Sequence, residues 1–329
     1  MTTATSRRLK TWSIAADTRR KPTEYEVVTG QFHYHFNRRP APFDLDPDSA
    51  INRWYLKHRE GSPLQADNWE AFRDPAALNY RRYIALQHDR EVYAEGVVDH
   101  YEALDDDHKL DPAWIETLTR IYVPARYLFH VLQITSLYVG QLAPSAYITN
   151  AAFFQAADEL RALQWIAYRA KSLSLTHGTQ LANSEATQRI WETDEVWQPA
   201  RETLERLLLA YDWGEAFTAL NLVVKPALDA LFKEAFAELA SDNGDGLTAA
   251  LLQESRVDTT RNQAWSAALA RYARSANPAN RAVIDGWVEK WRPRASRAVD
   301  GLATALPDPD AALDQVAHSV AAFTAQWAD

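Results

Sequence analysis

The sequence predicts an all-α protein: a bundle of long helices behind an extended N-terminal arm. Three observations carry this reading. Glycine is scarce, 10 residues in 329, while alanine, leucine and glutamate are plentiful and β-branched runs are few, a composition that favours helix. Past residue 75, apolar residues recur with a period near 3.6 over stretches of about 25–30 residues, longer than the usual globular helix. Before it, residues 1–75 hold six of the 15 prolines and little helical period.

Taken in order, the arm comes first. Proline marks it at 22, 40, 42, 47, 63 and 75, yet it is rich in aromatic residues. Disordered segments are poor in aromatics, so these rings must dock somewhere. Each ring removes about 150–250 Å² from water when buried, and patches that large are rarely left bare. Trp12, Tyr25, Tyr34, Trp54 and Trp69 are the candidate anchors of a subunit interface, because aromatic residues dominate such contacts. Deleting residues 1–40 is expected to weaken assembly while the helical body still folds.

The body, residues 76–305, follows. Asp74 reads as an N-cap with Pro75 at the first helical position. "DDDHKLDP" ends that helix, and Asp111 and Pro112 open the next, which Pro124 kinks. Pro144 begins a third, running to about Leu175. Two more stretches cover about 185–220 and 222–240, and "SDNGDG" is a turn. Helices over about 246–274 and 279–304 end at "LPDPD". Residues 306–329 form a C-terminal amphipathic tail. Long helices joined by short loops pack as a bundle.

Composition excludes several functions. There is no cysteine, so disulfides, thiolate nucleophiles and cysteine-bound clusters are ruled out. The formal net charge of −9 argues against nucleic acid as a partner. Residues 7–39 nonetheless carry +5, which leaves −14 on the rest, a pattern of a basic arm on an acidic body. The N-terminus lacks an apolar signal core, and the longest apolar stretch, residues 126–143, is broken by His130, Gln133 and Gln141. The expectation is a cytoplasmic protein with no membrane span.

The chemistry a bundle can carry was sought next. A carboxylate-bridged di-iron centre takes a Glu from each of two helices and a Glu-x-x-His from each of two others. No glutamate here has a histidine three positions later. Asp105-x-x-His108 falls in a helix break, His88-x-x-Glu91 has reversed order, and His33 and His35 lie in the arm. Asp212 and Glu215 could share acid–base work, but such a pair is more often salt-bridged. "NGDG" lacks the alternating acids of a calcium loop, and no phosphate loop or nucleophile elbow occurs. His130 reads as a buried histidine bonded to a neighbour, with metal ligand or proton relay as the alternative.

Several strings in order carry a resemblance: "KTWS" (10–13), "RRKPTEYEVV" (19–28), "SPLQADNWEAFRDPAALNYRRY" (62–83), "ARYLFHVLQ" (125–133), "YDWGEAFTALNLVVKP" (211–226) and "GWVEKWRP" (286–293). With them the chain resembles the hydroxylase β subunit of bacterial multicomponent di-iron monooxygenases, in the toluene, aromatic and alkene branch. The resemblance spans about residues 9–305 and fades in the last 25. It implies a ferritin-like bundle that lacks a metal site, with the di-iron centre in a partner α subunit and no cofactor in this chain. It also implies a dimer of α, β and γ protomers, served by a small effector protein, a Rieske-type ferredoxin and a flavin reductase using NADH. The reaction implied inserts one oxygen atom from O2 into an aromatic hydrocarbon or alkene. Tyr127 and His130 would then mark a degenerate site, where a catalytic paralogue has Glu-x-x-His. The alternative is a self-sufficient ferritin-like oxidase or iron-binding protein, which the missing Glu-x-x-His pair disfavours.

Overall fold

A computed structural model describes residues 21–30 and 49–328. Among the described residues every regular element is a helix. Two short helices belong to the arm, α1 (Glu24–Thr29) and α2 (Ala50–Tyr55). The body follows as α3 (Tyr80–Leu104), α4 (Pro112–Thr117), α5 (Ala125–Leu142), α6 (Ala146–His177), α7 (Ser184–Thr193) and α8 (Gln198–Leu207). A long rod comes next. It is built from α9 (Trp213–Phe217), a π segment (Thr218–Val224), α10 (Lys225–Asp229), a second π segment (Ala230–Ala235) and α11 (Phe236–Asp242). Then come α12 (Gly246–Ala276), α13 (Ala279–Ala303) and α14 (Pro309–Thr324).

Local chemistry sets the boundaries. α1 opens with a capping box: Thr23 accepts from the Glu26 amide, and Glu26 accepts from the Thr23 amide at 2.9 Å. Asp111 with Pro112 starts α4 as its sequence predicts. Asp74 and Pro75, by contrast, do not start a helix. The Asp74 carboxylate accepts from the Ala76 amide at 3.0 Å and holds a turn, with Ala77 at φ 47°. The helix begins five residues later, where Asn79 accepts from the Arg82 amide at 3.0 Å. The stretch expected as one helix over 185–220 is three, because Asp194 and Asp212 each cap a new one. Pro226 sits directly after a π segment. The wider i→i+5 bonding there absorbs a residue that has no amide to give.

The core lies between α5, α6, the rod, α12 and α13. Trp114, Trp197, Trp213 and Trp265 are fully buried in it. α5 and α6 run antiparallel in close contact; a Cβ on Gly140 would come within 2.5 Å of the Phe153 ring. Gln155 ties the layers together. It donates to Ser136 of α5 at 2.9 Å and accepts from Asn221 of the rod at 2.8 Å and from Trp265 of α12 at 3.1 Å.

The arm is partly spent on this body. Tyr25 is 3% exposed, its ring 5.5 Å from that of Tyr147, and its hydroxyl accepts from the Asp74 amide. Trp69 stands edge-on to Trp213 at 5.1 Å. Residues 21–30 and 49–75 thus form part of the same core rather than a separable domain.

Candidate functional site

Four ionisable side chains meet on the bundle's inner face. Glu159 comes from α6, Lys225 and Asp229 from α10, and Lys233 from the second π segment. All four are at most 3% exposed. Lys225 pairs with Glu159, and at 2.5 Å with Asp229. Lys233 lies 3.0 Å from the other Asp229 oxygen and 4.0 Å from Glu159. Thr259 of α12 donates to Asp229 at 3.4 Å, and the Lys233 ammonium sits 5.2 Å from the Phe129 ring of α5. Isolated charges are far too costly to bury, so the group must balance. It does, with two carboxylates against two ammoniums. Burial opposes ionisation of Asp229, but Lys225 and Lys233 outweigh it and hold the carboxyl below its ordinary range. Burial likewise disfavours the Lys225 ammonium, yet Asp229 and Glu159 raise it above its ordinary value.

A second ionic layer joins α3, α6 and α12. Arg90 donates to Glu254 at 2.7 Å and pairs with Asp258. Arg161 reaches Glu254 at 2.7 Å. Arg261 pairs with Asp158 and lies 3.0 Å from Asp258. Tyr83 donates to Asp158 at 2.8 Å, and Gln87 donates to Asp158 and Asp258 at 2.9 Å each. Burial, with the Asp258 carboxylate close by, pushes Asp158 up to about 7 against the pull of Arg261.

These sites do not fit an iron centre of the bundle type, which needs convergent carboxylates with imidazoles. Here ammonium and guanidinium groups stand against the acids. Among the described residues no group of three or more His, Asp or Glu could hold a metal ion. Asp212 and Glu215 are not an acid–base pair. Asp212 caps α9 and accepts from Ser62 at 2.8 Å, while Glu215 binds Lys290 and Trp291 at 2.6 and 3.0 Å.

Tyr127 and His130 lie away from this centre. His130 is exposed, and its Nδ1 is 3.0 Å from the Gln133 side chain, so the expected buried histidine is corrected. The reason is angular. Leu128, Leu132, Thr135 and Val139 form the buried stripe of α5, and residue 130 is about 200° around the helix from 128. Tyr127 stacks on Trp191 at 5.8 Å.

Of the five aromatic anchors, Trp12 and Tyr34 fall outside the described residues. Tyr25 and Trp69 face this chain's own core. Trp54 is 38% exposed, donates to the Tyr138 hydroxyl at 3.2 Å and stands edge-on to Tyr211 at 4.9 Å. Near it the outer faces of α5 and α6 leave Ile134, Leu137, Phe153 and Leu160 each about two-fifths exposed. Such apolar faces mark contact surfaces.

The inner ionic group was missed from sequence. Its signal was present in "KPALDALFK" (225–233), where charges at i, i+4 and i+8 interrupt an otherwise apolar run.

Comparison with known proteins agrees with this architecture. The methane/phenol/alkene hydroxylase family model matches residues 54–277. The chain is 43% identical over 299 residues to the hydroxylase component subunit beta of the toluene-4-monooxygenase system of Ectopseudomonas mendocina, covering 91% of this chain and 90% of that one. It is 28% identical to the hydroxylase component small subunit of propane 2-monooxygenase from Gordonia sp. (strain TY-5), covering 74% and 67%. A chain from toluene 4-monooxygenase, solved with toluene bound in the resting active site, superposes with a TM-score of 0.83 at 40% identity, covering 95% of this chain and 99% of that chain. The expected all-α, ferritin-like architecture therefore holds, and the chain belongs to the methane/phenol/alkene hydroxylase family.

Proposed function

We propose that this chain is the non-catalytic β subunit of a multicomponent monooxygenase hydroxylase. It supports a partner α subunit that bears the di-iron centre. The reaction inserts one atom of O2 into an aromatic hydrocarbon of the toluene type, or an alkene. The second oxygen atom leaves as water, with two electrons drawn from NADH through a flavin reductase and a Rieske-type ferredoxin. A small γ subunit and an effector protein complete the cytoplasmic system, in a dimer of αβγ protomers.

The observation that carries this reading is the inner ionic group. Glu159 and Asp229 are matched by Lys225 and Lys233, so the bundle's buried carboxylates are already neutralised. The likeness to a hydroxylase β subunit over nine-tenths of both chains supports the role. The chain's contribution is then mechanical: a rigid helical wall with apolar outer faces against which another subunit can pack.

The test is expression of the chain alone and together with the other hydroxylase subunits. Iron and NADH-dependent hydroxylation of toluene, with the ferredoxin and reductase supplied, should follow the assembled complex. Stoichiometric iron and hydroxylation from the isolated chain would favour a self-sufficient oxidase instead.

A further inference from the structure

The inner ionic group has an arrangement that salt bridges of the surface lack. Its acids come from two different long helices, α6 and the rod, with α5 and α12 closing the other sides through Phe129 and Thr259. Bundle cofactor sites are built in this way, from side chains on facing helices. A cavity of about 20 Å³ adjoins Lys233, lined by Phe129, Trp165, Leu251 and Ser255. That is room for one water. Carboxylates from facing helices, closed walls and a water-sized space are the parts of a metal site; only the cation is of another kind.

We propose that Lys225 and Lys233 are built-in cations that hold this latent divalent-metal site shut. Their ammonium groups bind the Glu159 and Asp229 oxygens that a metal ion would need. The chain thereby stays out of competition for metal while it folds beside an iron-binding partner. A lysine cannot be exchanged or chelated away, so the bundle keeps one charge state under all metal conditions.

The test uses the untagged full-length chain and Co2+ as the probe, because its ligand-field absorption reports coordination directly. The wild-type chain should show no such absorption, and its Tm should not depend on Co2+. Lys225→His/Lys233→His supplies two imidazoles beside two carboxylates. That variant should take up about one Co2+ per chain, with a Tm that climbs as Co2+ is added. Lys225→Met/Lys233→Met, left with two uncompensated acids, should lose stability and regain part of it with Co2+. Glu159→Gln/Lys225→Met/Asp229→Asn/Lys233→Met should fold and ignore Co2+. Wild-type protein that binds Co2+ as the histidine variant does would overturn the proposal. So would a histidine variant that folds by circular dichroism yet takes up none. If that variant fails to fold with or without Co2+, the lysines serve packing alone and the proposal falls.

Discussion

Two charged or polar side chains of similar promise in sequence differ sharply in weight. His130 is solvent-exposed and held only by Gln133, so His130→Gln should change stability by no more than about 0.5 kcal/mol, as surface substitutions do. Urea titration of the two proteins checks this; a loss well beyond that size would show the imidazole to be packed after all. Lys225 is the opposite case. Lys225→Met leaves Glu159 and Asp229 sharing one ammonium in a closed interior. Breaking a buried pair in this way costs about 3–5 kcal/mol, and the same titration should show it. Sequence reading favoured His130 because a histidine in an apolar run is conspicuous. It passed over Lys225 because a lysine normally signals solvent. Which side of a helix faces inward was the deciding fact, and α5 turns residue 130 outward.

At the scale of elements, the arm divides. α1 inserts Tyr25 beneath Tyr147 and ties Glu26 to Arg73 at 3.1 Å, so it is part of the body. Tyr25→Ala should therefore lower stability by about 3 kcal/mol or more, the range for a buried aromatic. A deletion of residues 1–40 should cost at least as much, contrary to the expectation that the body is indifferent to it. Trp54→Ala should do the reverse, leaving Tm nearly unchanged and weakening assembly with the partner subunit on size-exclusion chromatography. Equal losses of Tm in both variants would refute this division. The existence and order of the long helices were legible, since capping residues and the 3.6 period are local signals. The starts of α3 and α9 were not. Asp74 and Asp212 carry the same capping chemistry, and only the packing of Tyr25 and Leu64 around them decides that one closes a turn and the other opens a helix.

Across the whole molecule, buried charge is a pervasive feature. Beyond the two groups on the bundle's inside, Arg169 is fully enclosed and binds Asp107, Asp245 and Thr248 at 2.6–2.9 Å, which ties the α3–α4 connection to the cap of α12. This gives stability a pH dependence with a definite sign. Folded Asp158 keeps its proton up to about pH 7, whereas the unfolded residue releases it near its ordinary value of 3.8. Between these values the native state binds more protons, so stability from this residue falls as pH rises from about 4 to 7. Asp229 acts the other way and lower: its depressed value gives stability above 3.8 that is lost as acid protonates it. Thermal melts across pH 4–7 should show the Asp158 slope, and Asp158→Asn should flatten it. An unchanged slope in that variant would place its origin elsewhere. The fold class followed from composition and period alone. The ionic interior did not, because pairing across α3, α6 and α12 joins residues up to 171 positions apart.

The two π segments of the rod carry a consequence for how the gene can vary. One residue turns an α-helix by about 100°, and a π turn accommodates what amounts to one residue more than the α turn it replaces. Ala230–Ala235 therefore acts as a phase shifter between Asp229 and Lys233 and all that follows to Asp242. Loss of a single codon there would leave composition and hydropathy almost unchanged. It would nevertheless swing the Lys233 ammonium out of the interior and rotate the Phe236 and Leu239 face away from α12 by more than a quarter turn. Along this rod, segment length is the conserved quantity to expect, and point substitution the tolerated kind of change.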